Sequence, residues 1–269
     1  MNRCVLSLAL LIVLAPPAVL AAENPEPQEV VDRMIAAAGG DAFEQLGILK
    51  LEVSQEEIRN DGTSSRSSYT LYVDTENLSN LRVEYPGDVV VARTAAEGWS
   101  TSKGVLDERP QTPSMAKTSL NQIVFPLLMP YSLKMDGVWA TEIRETIVDG
   151  RDVWALAIPF VKGFFTSPVM TSTWFMLVDR NDYSILWYEF MPPVEYRDVS
   201  PVGIRYRVLK TEELDGAKVP AQLLLVGTNS AGLESGANRV TKIETSVHGA
   251  WDPTLFLSPA QLEALERVD

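Results

Sequence analysis

The sequence predicts a mainly β, α+β fold: one strongly curved antiparallel sheet, a half-open barrel of about eleven strands, with helices and an apolar loop as its lid. Three observations lead there. From Ile48 onward, extended apolar and β-branched runs alternate with tight turns such as Asp149-Gly150 and Asp215-Gly216, which are strong hairpin signals. Helical patterns are confined to the N-terminus, the middle and the C-terminus. Finally, the run Ile123-Val124-Phe125-Pro126-Leu127-Leu128-Met129-Pro130-Tyr131 is almost wholly apolar and cut by two prolines. It is far shorter than the ~20 residues of a membrane span.

The elements follow in order. Arg3, the apolar stretch Val5 to Leu14, and the small-residue ending Val19-Leu20-Ala21 form a secretory leader, with cleavage after Ala21. An uncleaved anchor is the alternative. Residues 22–269 then form a single domain. Pro27 at a first helical turn, Glu29 near the positive end of the dipole, and Gly39-Gly40 as a stop delimit a helix. Its apolar face is Val30, Val31, Met34, Ile35 and Ala38. Asp41 and Glu44 read as an N-cap and its reciprocal partner for one short turn.

Strands are expected over Leu49 to Ile58, Ser67 to Asp74, Leu78 to Tyr85 and Val89 to Thr94. A long connection from Ser102 to Met135 interrupts them. Within it Ser114 to Val124 has helical spacing, with Met115, Leu120, Ile123 and Val124 as apolar positions. Strands resume over Thr141 to Val148, Arg151 to Ile158, Ser172 to Val178, Tyr183 to Phe190, Ile204 to Glu212, Ala217 to Val226 and Arg239 to Val247. Ser258-Pro259-Ala260-Gln261 is a capping box that opens a last short helix. A meander this long must curl, close or split. Its concave face needs a cover, and the middle segment is the candidate.

Composition narrows the function. The only cysteine, Cys4, lies in the leader, so the mature chain has no thiol for a disulfide, a zinc site or a nucleophile. Asp and Glu number 36 against 23 Lys and Arg, for a net charge of -13. No basic stripe tracks phosphates, which argues against nucleic acid as a partner. The single histidine, His248, has no second histidine to share a metal or a relay, and there is no Gly-x-Ser-x-Gly elbow. Glu56-Glu57 and Glu212-Glu213 are adjacent in strands, so each pair splits between two faces. Asp107, Glu108 and Arg109 read as a solvated turn. The residues point to no catalytic, metal or cofactor motif, and a non-enzymatic protein is expected.

What remains is apolar surface in unusual places. Thr173 to Val178 and Ile185 to Tyr188 are apolar on both faces, so they are covered twice or line a space for something apolar. A second greasy connection, Phe160 to Met170, carries Gly163 and Pro168, which oppose regular structure. Two apolar irregular connections suggest closure over a hydrophobic interior. Leu120, Ile123, Phe125, Leu128 and Met129 are the expected lid contacts, and Trp174, Met176 and Trp187 the cavity wall. Phe160, Phe164, Phe165 and Met170 belong near the mouth. An interior packed solid, with the apolar segments docked on a partner, is the alternative.

Leu177-Val178-Asp179 ending a hairpin, "EELDGAKVP" from Glu212 to Pro220, and Asp252-Pro253-Thr254-Leu255-Phe256 closing the sheet resemble the periplasmic lipoprotein carriers, the LolA-like proteins. The opening "VVDRMIAAAGG" is similar to their N-terminal helix. The resemblance implies an open β-barrel lidded by helices, whose interior holds acyl chains. It also implies a periplasmic carrier or binding protein for a lipid or lipoprotein acyl chain, with a membrane-protein or lipoprotein partner.

Overall fold

A computed structural model describes residues 25–59, 61–166, 173–190, 203–228, 234–248 and 252–267, with the backbone alone at 235–238. The expected leader and Met170 lie outside the described residues. Helix α1 (Pro27–Ala37) begins at its proline and buries Val30, Val31, Met34 and Ile35. Gly39 then turns left-handed (φ +84), and α2 (Gly40–Glu44) follows with no side-chain cap. The expected N-cap, Asp41, is already inside this helix. The left-handed glycine reverses the chain, so no capping side chain is needed there.

Thirteen strands follow among the described residues. They are β1 (Ile48–Ile58), β2 (Ser64–Asp74), β3 (Leu81–Tyr85), β4 (Val89–Arg93), β5 (Gly98–Ser102) and β6 (Val105–Leu106), then β7 (Glu142–Val148) and β8 (Arg151–Ile158). The series ends with β9 (Trp174–Asp179), β10 (Ile185–Phe190), β11 (Gly203–Leu214), β12 (Ala217–Thr228) and β13 (Glu234–Val247). The two beyond the expected eleven are β5, rich in Gly, Ser and Thr, and β6, only two residues long, so neither has an apolar alternation to mark it.

All thirteen form one curved antiparallel sheet in the order β6-β5-β4-β3-β2-β1-β13-β12-β11-β10-β9-β8-β7. Consecutive strands are therefore neighbours in space, except β6 and β7, and β1 pairs β13 to join the first strand to the last. The sheet stays open between β6 and β7. The chain between those two edges supplies α3 (Thr112–Leu127) and a 3-10 turn (Tyr131–Lys134).

Helix α3 runs three residues beyond the expected Val124 and contains Pro126. The proline lies one residue from the end, so the helix forfeits only one bond and stops within a turn. Met115, expected on the apolar face, is 49 % exposed, because the helix rests on the sheet through Ala116 and Leu120 instead.

The two ends of the sheet differ. At one end α1 abuts the turn between β11 and β12. A Cβ on Gly39 would lie 2.1 Å from the Gly216 carbonyl oxygen, so only glycine fits. The Lys218 amide donates to the Ala38 carbonyl at 2.8 Å. On the outer face, Phe256 packs on Ile48 and Tyr72, and the Trp99 indole donates to its carbonyl at 3.0 Å. Helix α4 (Pro259–Glu266) starts at the expected capping box of Ser258 and Gln261. The ring of His248 packs edge-on against Tyr72 at 4.9 Å.

Candidate functional site

The concave face is apolar, and α3 crosses it. The first half of the helix is seated on β4 and β5. A Cβ at Gly98 would lie 2.5 Å from the Pro113 carbonyl, which is how closely the helix approaches the strand. Lys117 donates to the carbonyls of Ala95 and Ala96 at 3.2 and 3.1 Å. Asn121 is buried, accepts from Arg93, and donates to the Phe164 carbonyl at 2.9 Å. One side chain thus ties helix, sheet and the second greasy connection together.

The last turn of α3 delivers Phe125 into a nest of rings. Its edge meets Phe160 at 4.9 Å and Trp174 at 5.1 Å, with Phe164 and Phe165 both at 5.9 Å. Trp174 stacks on Tyr206 at 5.5 Å, and Tyr206 on Tyr188 at 5.1 Å. Each such ring pair adds about 0.5–1.5 kcal/mol beyond area burial. The Tyr188 hydroxyl donates to the Pro126 carbonyl, and the Ser132 hydroxyl to that of Phe125 at 2.7 Å. These are carbonyls a helix end leaves without partners. Tyr131 then anchors the following 3-10 turn. Its ring stacks on Phe43 at 3.8 Å, and its hydroxyl sits between the carbonyls of Ala38 and Lys218.

The expected site residues therefore fall mostly together. Leu120, Phe125, Leu128, Met129, Phe160, Phe164, Phe165, Trp174 and Met176 all join the main core, with Ile123 packed against it half-buried. Leu120, Phe125, Leu128 and Met176 have no exposure at all, so no space large enough for water adjoins them. In this conformation the lid is also the filling. Trp187 stands apart, under the guanidinium of Arg205 at 4.2 Å, next to the nearly buried Glu189–Arg205 ion pair. An irregularity in register between Ile185 and Trp187 decides which ring faces inward, and Tyr188 takes that place.

Sequence reasoning missed Tyr188, Tyr206, Asn121 and Tyr131. For Tyr206 a signal was present: Ile204, Tyr206 and Val208 alternate with Arg205 and Arg207. Nothing in the sequence marks Asn121.

A cleft of about 310 Å³ opens beside the lid, at the low end of the range for ligand pockets. Met34, Ala38, Met129, Pro130, Ile185 and Val208 form its apolar walls, and Asp182 and Lys218 lie on its border. Hydrogen bonds from Ser184 hold the Asp182 carboxyl below its ordinary range. The Asp107–Arg109 pair lies in the connection between β6 and α3, with Arg109 exposed. Among the described residues, no helix is long and apolar enough to cross a membrane.

A curved, unclosed antiparallel sheet with an apolar helical cover over its concave face defines a class: the LolA-like half-barrels. A LolA superfamily protein from Nitrosomonas europaea has the same fold, with a TM-score of 0.59 at 12% identity over 88% of this chain and 100% of that one. A DUF1329 family protein from Desulfovibrio piger gives a TM-score of 0.56 at 12% identity over 88% and 99%. A domain assigned as an outer membrane lipoprotein-sorting protein, from Vibrio parahaemolyticus, gives 0.52 at 10% identity over 90% and 99%. No family model matches the sequence, and no curated protein matches it either.

Proposed function

We propose that this chain is an exported, non-enzymatic carrier or binding protein for a hydrophobic ligand of the cell envelope, such as a lipid or a lipoprotein acyl chain. The observation that carries the reading is the way the concave face is filled. Its apolar surface is covered by inserted segments, chiefly α3 with Met129 and Pro130, together with α1 and Phe160, Phe164 and Phe165, rather than by a second sheet. The α3 segment is held by a handful of hydrogen bonds, among them those of Asn121, Tyr188 and Tyr131. The fold shared with a lipoprotein-sorting domain supports an envelope role.

The energies are compatible with opening. Withdrawing Phe125 and Leu128 exposes two large side chains, at a cost of about 1.5–3 kcal/mol each. An acyl chain that buries ten methylenes regains about 8 kcal/mol. A ligand of that length can replace the lid's own side chains. The leader expected over residues 1–21 would bring the protein to the periplasm, where such ligands are carried between membranes.

A second reading is favoured by one observation. The absence of any exposure at Leu120, Phe125 and Met176 suits a permanently solid core, with the protein acting as an envelope interaction module. Native mass spectrometry and lipid extraction of the protein from its own envelope separate the two. A stoichiometric lipid is expected for the carrier. A ligand-free protein that co-purifies with a defined partner would replace that reading with the module.

A further inference from the structure

The end of the concave face farthest from α1 carries a charged pair, Glu57 and Arg239. Register sets the arrangement. Glu57 pairs with Arg239, Arg239 with Leu225, Leu225 with Tyr206, and Tyr206 with Tyr188. Paired residues share a face, and Leu225, Tyr206 and Tyr188 belong to the core. Arg239 therefore lies on the concave face, two strands (about 10 Å) from Tyr206.

Arg239 is also under-used. It donates to Glu57 at 3.1 Å and is 39 % exposed, and among the described residues Glu57 is its one hydrogen-bonded partner. A guanidinium has five N–H donors in a fork suited to carboxylate or phosphate. Two residues along the same strand and face, Thr241 is completely buried, yet among the described residues its hydroxyl has no hydrogen-bond partner. Buried polar groups normally have partners, so this hydroxyl is an available donor inside an apolar wall. Tyr69, Tyr85 and Ile204 border the same end as half-buried apolar side chains.

We infer that this end is the headgroup site for an anionic, single-chain amphiphile. Arg239 binds the carboxylate or phosphate, Thr241 adds a second donor, and the alkyl chain runs past Leu225 and Tyr206 toward Trp174. The inference rests on the carrier reading and adds the ligand's charge and orientation to it. The choice of an anion comes from the donors of the Arg239 fork that Glu57 leaves free, which suit a carboxylate or phosphate. The protein as a whole is strongly acidic, but at physiological salt charges beyond about 8 Å are screened.

The test compares dodecanoate, dodecyl phosphate and dodecanol by equilibrium titration of the whole protein at neutral pH, below micelle formation. Both anions are expected to bind about tenfold more tightly than the alcohol, the scale of one charge-assisted hydrogen bond. Arg239→Gln is expected to bring the ratio of anion to alcohol affinity to about one. Glu57→Gln, which frees the remaining fork, should raise the anion preference, and it decides the matter if Arg239→Gln fails to fold. Equal binding of all three ligands by the wild type overturns the inference and leaves the carrier reading standing. So does an anion preference that survives in Arg239→Gln or falls in Glu57→Gln. Failure of all three ligands to bind overturns the carrier reading itself.

Discussion

The hydroxyl of Tyr188 on β10 donates to the carbonyl oxygen of Pro126 in the last turn of α3, so the cover is hung from the sheet beneath it. The acceptor belongs to the group of carbonyls that a helix end leaves unpaired, and Pro126 is buried. Removing the donor leaves that carbonyl without water or partner. Tyr188→Phe is therefore expected to lose about 1–3 kcal/mol of stability, the cost of an unsatisfied buried acceptor. Hydrogen exchange at residues 120–128 should accelerate more than exchange in β1 or β12. Uniform acceleration across the protein would show that the latch acts on the whole fold and not on the cover.

Phe125 is the part of the cover that occupies the interior. It meets four rings edge-on, and Phe125→Ala would leave a void among them. Urea unfolding should report a loss of about 3–5 kcal/mol, typical of a buried phenylalanine truncated in a tight core. On the carrier reading the same variant should bind a fluorescent fatty acid more tightly, because the side chain competing for the space is gone. Loss of stability without any gain in binding would favour the solid core.

Much of this arrangement was legible in the sequence, and the gaps have physical causes. Hairpin turns such as Asp149-Gly150 impose local geometry, so the meander could be read strand by strand. The apolar content of Leu120, Phe125 and Trp174 announced burial, because burial is what such side chains do. Direction was harder. Trp187 and Tyr188 are adjacent in a strand, and only the irregularity near Ile185 determines that Tyr188 faces inward. The run Ile123 to Tyr131, expected as an apolar loop, is helical as far as Leu127. Proline penalises a helix interior strongly, but Pro126 sits so near the end that helix and proline coexist. Asn121 was invisible because its importance comes from Arg93 and Phe164, distant in sequence.

Gly39 and Gly62 form a matched pair for testing how α1 is fixed. Both have positive φ, +84 and +81, but among the described residues an added Cβ meets the Gly216 carbonyl at Gly39 and nothing within 4 Å at Gly62. Gly62→Ala should cost about 1 kcal/mol, for backbone strain alone. Gly39→Ala should cost at least about 2 kcal/mol more, since α1 must move off the turn between β11 and β12. Thermal unfolding of the two variants measures the difference. Equal costs would mean that the turn yields easily and does not fix the helix.

Tyr131 links stability to alkaline pH. Burial pushes its hydroxyl up to about 12, against an ordinary value near 10 in the unfolded chain. Below pH 10 both states keep the proton, and the hydroxyl contributes its full stabilisation. Between about 10 and 12 the unfolded chain releases the proton while the folded protein retains it, so stability falls as pH rises. Tyr131→Phe lacks this titration. At pH 8 the wild type should be more stable than the variant by about 1 kcal/mol, the worth of a hydrogen bond. Denaturant titrations from pH 8 to 12 should show that gap closing above pH 10, as Tyr131 ionises in the unfolded chain. A gap that stays constant to pH 12 would mean that the hydroxyl between Ala38 and Lys218 is not held neutral by burial.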